Sequence, residues 1–448
     1  MPLTGIEIFK MLPKTNCGEC GVPTCLAFAM KLATGKAELA ACPYVSEEAK
    51  AKLDTASAPP VRLITVGIGD QALKVGGETV MFRHEKRFEN PPGLALLISD
   101  TMESAEIEAR LERFKQFQYE RVGLILRPEL IAARADSGRA DRYASLVDQV
   151  KQNNPGGIIL MSDDPELLAA GLEVCADRKP LLYAATAENL DRLVDLAKAN
   201  SCPVVAKASG LEKLAELTNK LTAAGVKDLV LDSEPGTMRQ AFEDQVIIRS
   251  AALNKKFRPL GFPTIAFPGK LSADPLKEAV IAAALVAKYG GIIVLSDFQG
   301  HSLFPLLLAR MNIYTDPQRP LATTEGIYKI GGPDEKAPVL LTCNFSLAYF
   351  IVSGEVEASK VPCYLLIKDT AGLSVLTAWA SGKFGADTIG PFVKRCGISE
   401  LIAHRKLIIP GYLAAERGEL EEELSDWEIL VGPREAAHLP AYLRTLIS

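Results

Sequence analysis

Between Leu94 and Asp297 the chain repeats one pattern eight times: a short apolar run rich in β-branched residues, then a helix-length amphipathic stretch. The runs are LALLISD, VGLILRP, GIILMSD, PLLYAA, CPVVAKA, DLVLDS, TIAFP and IIVLSD. Strands that are apolar throughout must be covered on both faces, which demands a parallel sheet with helices in the crossovers. An open doubly wound sheet gives the same alternation, but a count of eight favours a closed TIM (β/α)8 barrel. Just before it, VRLITVGIGDQALKVGGETVMFRHEKRF offers two strand-like runs around GIGDQALKVGG, the pattern of an antiparallel hairpin. Hairpin and barrel together are expected over 59–315.

Polar residues recur at the ends of the expected strands: Asp100, Arg127, Asp163, Lys207, Asp232 and Asp297. That end of a barrel carries chemistry. The acids nevertheless fit helix capping, because SDTMESAE, SDDPELL and DSEPGTM each set Ser or Asp before a helix start. Lys207 and Arg127 have no such explanation. His84 reads as a solvated surface residue, and His301 is assigned no role.

The stretch IYTDPQRPLATTEGIYKIGGPDEKAP is rich in Pro, Gly and Thr and reads as a linker over 316–338. LDTASAPP, at 53–60, reads as another. Beyond 339 a smaller open parallel sheet is expected, with strands VLLTC, PCYLLIK, KLIIP and WEILVG. Ligands of such sheets bind beyond the strand C-ends, where the loops are TCNFS, KDTAGLSVL, PGYLA and VGPRE. Thr370, Ala371, Gly372, Leu373 and Ser374 open directly into a helix start, which suits close backbone approach to a cofactor; an ordinary capped turn has the same pattern. Neither G-x-G-x-x-G nor G-x-x-x-x-G-K-[ST] stands at a strand end, so dinucleotide and nucleoside triphosphate readings are weak.

Four of the nine cysteines fall within TNCGECGVPTCLAFAMKLATGKAELAACPY. Cys17, Cys20 and Cys25 share a loop with Gly18, Gly21 and Pro23, and Cys42 follows a helix-prone stretch. A structural zinc site usually draws thiolates from two separate C-x-x-C turns. Three ligands from one loop plus a distant Cys-Pro is a common way to surround an iron–sulfur cube. Iron–sulfur is favoured, with zinc and a metal-free segment left open. The other five, Cys175, Cys202, Cys343, Cys363 and Cys396, lie in apolar segments and read as buried free thiols of a reducing compartment.

With 48% hydrophobic and 23% charged residues, the chain has the composition of a soluble globular protein, and its formal charge of -5 argues against nucleic acid or an anionic membrane as partner. The start has an acid at Glu7 and no long apolar core, so no signal peptide is expected. The apolar run AVIAAALVAKYGGIIVLSD is interrupted by Lys288 and Gly290-Gly291 and fails as a membrane span. A cytoplasmic protein is expected.

A four-cysteine segment (1–58), a barrel and a C-terminal open α/β domain (339–448), in that order, resemble the large (gamma-type) subunit of the corrinoid iron–sulfur protein of the reductive acetyl-CoA (Wood–Ljungdahl) pathway. The resemblance rests on the cysteine motif, the barrel, and TCNFSLAYF with KDTAGLSVLTAWASGKF. It implies a [4Fe-4S] cluster on Cys17, Cys20, Cys25 and Cys42. It also implies a Rossmann-like, corrinoid-binding C-terminal domain. By loop position, the corrin contacts carried over are Thr342, Asn344, Ser346, Thr370, Ala371, Gly372, Leu373, Ser374, Gly411, Gly432 and Pro433.

The implied function is methyl carriage: cob(I)amide takes a methyl group from a methyltetrahydrofolate-dependent methyltransferase and gives it to acetyl-CoA synthase. The cluster, fed by a low-potential donor such as ferredoxin, returns Co(II) to Co(I). The implied partner is a small TIM-barrel subunit forming a heterodimer, with the chemistry shared among proteins. The motif D-x-H-x-x-G, which places a histidine under cobalt, is absent: Phe82, Gln299, Ile402 and Ala436 precede the four histidines by two positions. That agrees with the base-off, histidine-off corrinoid of the family. The rival expectation is a self-contained barrel redox enzyme with an iron–sulfur relay and no cobalt; a zinc-bearing scaffold is a third.

Overall fold

The computed structural model describes residues 5–33, 37, 39–46, 49, 59–121, 124–154, 156–318 and 320–447. The linker expected at LDTASAPP lies outside the described residues except for Pro59 and Pro60. The chain divides into two compact units, Met1–Gln118 with Arg127–Tyr314, and Tyr119–Leu126 with Thr315–Ser448.

In the first unit an antiparallel hairpin, β1 (Ile64–Val66) and β2 (Leu73–Val75), precedes eight parallel strands. These are β3 (Gly93–Ser99), then, beyond a small hairpin of β4 (Tyr119–Arg121) and β5 (Leu124–Leu126), β6 (Leu130–Arg134), β7 (Gly157–Met161), β8 (Leu181–Ala185), β9 (Val204–Lys207), β10 (Leu229–Asp232), β11 (Ile265–Ala266) and β12 (Ile292–Leu295). Their order is β10-β9-β8-β7-β6-β3-β12-β11. Leu231 of β10 bridges to Thr264 beside β11, and its N–H donates to the Pro263 carbonyl at 2.8 Å. The sheet therefore curls into a nearly closed, TIM-like barrel. Small and branched side chains fill it: Ala95, Ala132, Ile159, Val205, Val230, Ile265 and Val294 are all buried in one core.

Two strand expectations are corrected. VGLILRP is not a barrel strand; its residues Leu124–Leu126 form an arm of the small hairpin, with Leu124 and Ile125 exposed. The barrel takes its strand from Leu130 onward, where Leu130, Ile131, Ala132 and Ala133 are completely buried. Pro128 lacks the N–H a ladder needs, which favours the restart beyond it. In the leading hairpin the second arm lies inside the expected turn, and ETVMFRH forms no strand. Ile64, Val66 and Val75 pack on the barrel interior beside Leu73, so the hairpin plugs the end where β3 and β7 begin. A Cβ on Gly157 would meet Val66 Cγ1 at 3.2 Å.

The second unit holds a five-stranded sheet of β13 (Gly326–Ile330), β14 (Val339–Cys343), β15 (Cys363–Lys368), β16 (Lys406–Ile409) and β17 (Glu428–Val431), in the order β13-β15-β14-β16-β17. β14 to β17 are parallel, and β13 is an antiparallel edge. β13 lies within the stretch expected as linker, a correction: flanking Pro and Gly mask a five-residue strand that only its pairing with β15 defines. Alternation buries both faces. Leu341, Leu366 and Leu407 pack against Ile389 and Leu420 on one side, whereas Leu340, Leu365 and Ile408 pack against Val356 and Leu443 on the other. Among the described residues no helix is long and apolar enough to cross a membrane.

Candidate functional sites

The order β15-β14-β16-β17 reverses direction at β14, so the crossovers to β15 and to β16 leave on opposite sides and open a crevice beyond the strand C-ends. β14 and β16 are registered only through Leu340 and Ile408, and both residues line a cavity of about 350 Å³ at that point. Its walls are aliphatic: Leu341, Ala348, Ile351, Val352, Val375 and Leu439. Polar atoms come from Thr342, Ser374, Arg434 and Glu435, and no histidine stands among the described lining residues. At the rim the Tyr412 hydroxyl donates to Glu435 Oε1 at 2.8 Å, and that bond raises the phenol's pKa. Leu347, Ile351, Leu376 and Tyr412 remain exposed around it.

The contacts expected from loop position divide into three groups. Thr342, Ser374, Gly432 and Pro433 line the cavity. Gly411 sits behind it; its N–H donates to the Pro433 carbonyl at 3.1 Å, and a Cβ there would lie 2.6 Å from Gly432 O. Only glycine lets these two loops touch. Asn344, Ser346, Thr370, Ala371, Gly372 and Leu373 do not line the cavity. Asn344 Oδ1 accepts from the Thr370 N–H, the Thr370 hydroxyl and the Gly372 N–H, each at 2.9 Å, and its Nδ2 donates to Asp369 Oδ1 at 2.8 Å. Asn344 and Thr370 are buried, so this network shapes the loop that presents Ser374. Sequence reasoning missed Leu347, Ile351 and Leu376. The signal was there in part: Leu347 and Ile351 stand one helical turn apart within an already covered helix, 346–359.

The N-terminal segment folds around its cysteines. Cys25 and Cys42 are buried with Ile8, Leu12, Val22 and Phe28, Cys20 packs on that core, and Cys17 is exposed. The loop is set by positive φ at Lys14, Asn16, Gly18 and Gly21. Asn16 secures its base: Oδ1 accepts the Cys25 N–H at 2.8 Å, and its own N–H points at Cys25 Sγ, 3.4 Å away. Backbone donors aimed at sulfur suit thiolates under a negative cluster. Among the described residues no three His, Cys, Asp or Glu side chains are gathered as a ready ligand set. The four thiols, with Cys20, Cys25 and Cys42 on one core and Cys17 on the exposed loop beside them, are donors of the type that holds a thiolate-bound cluster.

At the barrel mouth the capping expectation holds for SDDPELL through Asp164 and is corrected for Asp100, Asp163 and Asp232. Asp100 is buried and accepts from the N–H groups of Asp136 and Ser137, both at 2.9 Å, fastening the end of β3 to the loop after β6. Asp163 pairs with Lys207 at 2.8 Å, and the cap of helix Pro165–Cys175 is its neighbour Asp164. Asp232 accepts from the Tyr183 hydroxyl at 2.8 Å, while Thr237 caps the helix Met238–Leu253. Arg127 lies away from the mouth and bonds Gln71 of the plugging hairpin.

A family model described as "CO dehydrogenase/acetyl-CoA synthase delta subunit" matches residues 63–443, and one described as "Putative Fe-S cluster" matches residues 12–44. The "Corrinoid/iron-sulfur protein large subunit" of Moorella thermoacetica is 45% identical over 444 residues, covering 99% of both chains. The "Acetyl-CoA decarbonylase/synthase complex subunit gamma" of Methanopyrus kandleri is 37% identical over 455 residues, covering 98% of this chain and 97% of its own. That of Methanothermobacter thermautotrophicus is 35% identical over 463 residues, covering both chains completely. The chain belongs to the family of corrinoid/iron–sulfur protein large subunits, the gamma subunits of the acetyl-CoA decarbonylase/synthase complex.

Proposed function

We propose that this chain is the methyl-carrier subunit of the reductive acetyl-CoA pathway. It holds a corrinoid at the β14/β16 crevice and a [4Fe-4S] cluster on Cys17, Cys20, Cys25 and Cys42. The carrying observation is the apolar, histidine-free cavity at the switch point of the C-terminal sheet, in a chain whose relatives are named for a corrinoid. When bound, the corrinoid supplies the cobalt that carries a methyl group from methyltetrahydrofolate methyltransferase to acetyl-CoA synthase, and the cluster supplies the electron that restores Co(I).

This chain's residues bind and orient. Leu340, Val352 and Ile408 give a dry floor, suited to the aromatic base of a corrinoid bound base-off. Thr342 and Ser374 offer hydroxyls, and Arg434 with the Tyr412–Glu435 pair offers charge and donors, to the amide side chains of the ring. The close loops at Gly411 and Gly432 let backbone approach it. Asn16 holds the cysteine loop and directs an N–H at Cys25.

The exposed apolar rim of Leu347, Ile351 and Leu376 suits cover by a second chain, the small TIM-barrel subunit. We assign the cluster domain to 1–58, the barrel with its hairpin to 59–315, and the Rossmann-like corrinoid domain to 339–448. The chain acts as a carrier in a cytoplasmic complex and takes its electron from a donor such as ferredoxin.

Metal analysis of anaerobically purified protein, co-expressed with the small subunit and supplied with corrinoid, tests the reading. About four iron and one cobalt are expected per heterodimer. Ala348→Phe, which fills the cavity, should abolish cobalt and leave iron in place. Full cobalt in that variant would remove the corrinoid from this cavity, and iron without cobalt in the parent would leave a redox barrel protein instead.

A further inference from the structure

A second cavity, of about 490 Å³, opens at the C-terminal mouth of the barrel, the size of a small-molecule site. Its charged side chains are largely committed. Lys207 is paired with Asp163 at 2.8 Å, and Arg134 with Asp136 at 2.7 Å. Arg110 donates to the carbonyls of Leu97 and Ser296 at 3.2 and 2.6 Å and pairs with Glu106.

Lys270 is the exception. Its ammonium lies over the Phe267 ring, 4.4 Å from the centroid, and makes one long hydrogen bond, 3.4 Å, to the Tyr183 hydroxyl. No carboxylate pairs with it among the described residues. An ammonium has three donors, so two are left for something in the cavity. Tyr183 is held still for this purpose: its hydroxyl proton goes to buried Asp232, whose other oxygen accepts the Glu234 N–H at 2.9 Å. Burial, and then the Asp232 charge, push the Tyr183 pKa well up, so the phenol stays protonated. Tyr183 and Phe267 meet edge to face at 5.0 Å, with Met161 beside them in the wall.

We propose that the barrel mouth binds a small organic anion with a flat apolar body, its acid group taken by Lys270 and its body lying against Tyr183, Phe267 and Met161. Lys270 feels Asp232 only across the Tyr183 hydroxyl and keeps donors facing the cavity, and the surface beneath it is aromatic and thioether, which together select an aromatic or heteroaromatic acid over a bare inorganic ion. The site stands apart from the corrinoid reading and does not depend on it.

Ligand-observed NMR on the full chain carrying its cluster, with benzoate, benzamide and inorganic phosphate as probes, tests this. Benzoate should bind saturably, benzamide at least about tenfold more weakly, and Lys270→Gln should erase the difference. Lys277→Gln, an exposed control on the next helix, should change nothing. A Lys270→Gln chain that keeps the preference, or equal binding of benzamide, overturns the role of the charge. Phosphate binding as tightly as benzoate overturns the flat body. Absence of saturable benzoate binding up to about 10 mM overturns the site altogether. In that case, loss of a partner chain from the complex in Lys270→Gln would make the mouth a protein interface.

Discussion

Burial holds the scattered thiols protonated. The Cys175 and Cys363 thiols are pushed up to about 12 and Cys202 to about 11, and Cys343 and Cys396 are also raised. A thiol exposed by unfolding loses its proton near its ordinary value of 9.0, while the folded one keeps it. Above that pH the unfolded chain binds fewer protons, so stability falls as pH rises from about 9 towards about 12. Cys175→Ala should therefore lose some stability at neutral pH yet show a shallower decline between pH 9 and 11. Calorimetric melting curves across that range check this; parallel declines in parent and variant would show that Cys175 is not a source of the slope.

At the scale of elements, the loop 369–374 hangs on one side chain. Asn344→Ala would strand the buried N–H groups of Thr370 and Gly372, at a cost of about 3 kcal/mol, while the Thr370 hydroxyl keeps the Leu373 carbonyl as its acceptor. Urea unfolding of the variant should show that loss, with cobalt content falling only in proportion to the folded fraction. Full stability with cobalt lost would instead make Asn344 a direct cofactor contact. The plugging hairpin shows a second kind of element: its arms are three residues each and gain their stability from the barrel beneath them. Close behind it, buried Glu78 pairs with Arg249 at 3.1 Å, and Arg249 also donates to the Val80 carbonyl. Burial raises the Glu78 pKa, with Arg249 opposing it, so the pair fastens the segment after the hairpin to an outer helix.

For the whole molecule, each compact unit has its own core, one inside the barrel and two on the faces of the C-terminal sheet. Calorimetry of the full chain should then resolve more than one unfolding transition. Added corrinoid should raise only the transition assigned to 315–448, because ligand stabilises the unit that binds it. A single cooperative transition that shifts as one would contradict this.

What could be read without coordinates was whatever is encoded locally. The eight-fold alternation carried the barrel, and the strands at VLLTC, PCYLLIK, KLIIP and WEILVG carried the second sheet, because two-sided burial imposes continuous apolar runs. The cysteine spacing marked its segment because a cluster constrains neighbours along the chain. Tertiary structure decided the rest. An apolar run says that a segment is buried, not against what, so VGLILRP and LIAAR could not be told apart until the barrel closed with one and left the other out. Asp100, Asp163 and Asp232 look like caps one at a time; their partners Ser137, Lys207 and Tyr183 lie 37, 44 and 49 residues away. The crevice between β14 and β16 exists only because chain order and spatial order differ there, a relation that no window of sequence contains.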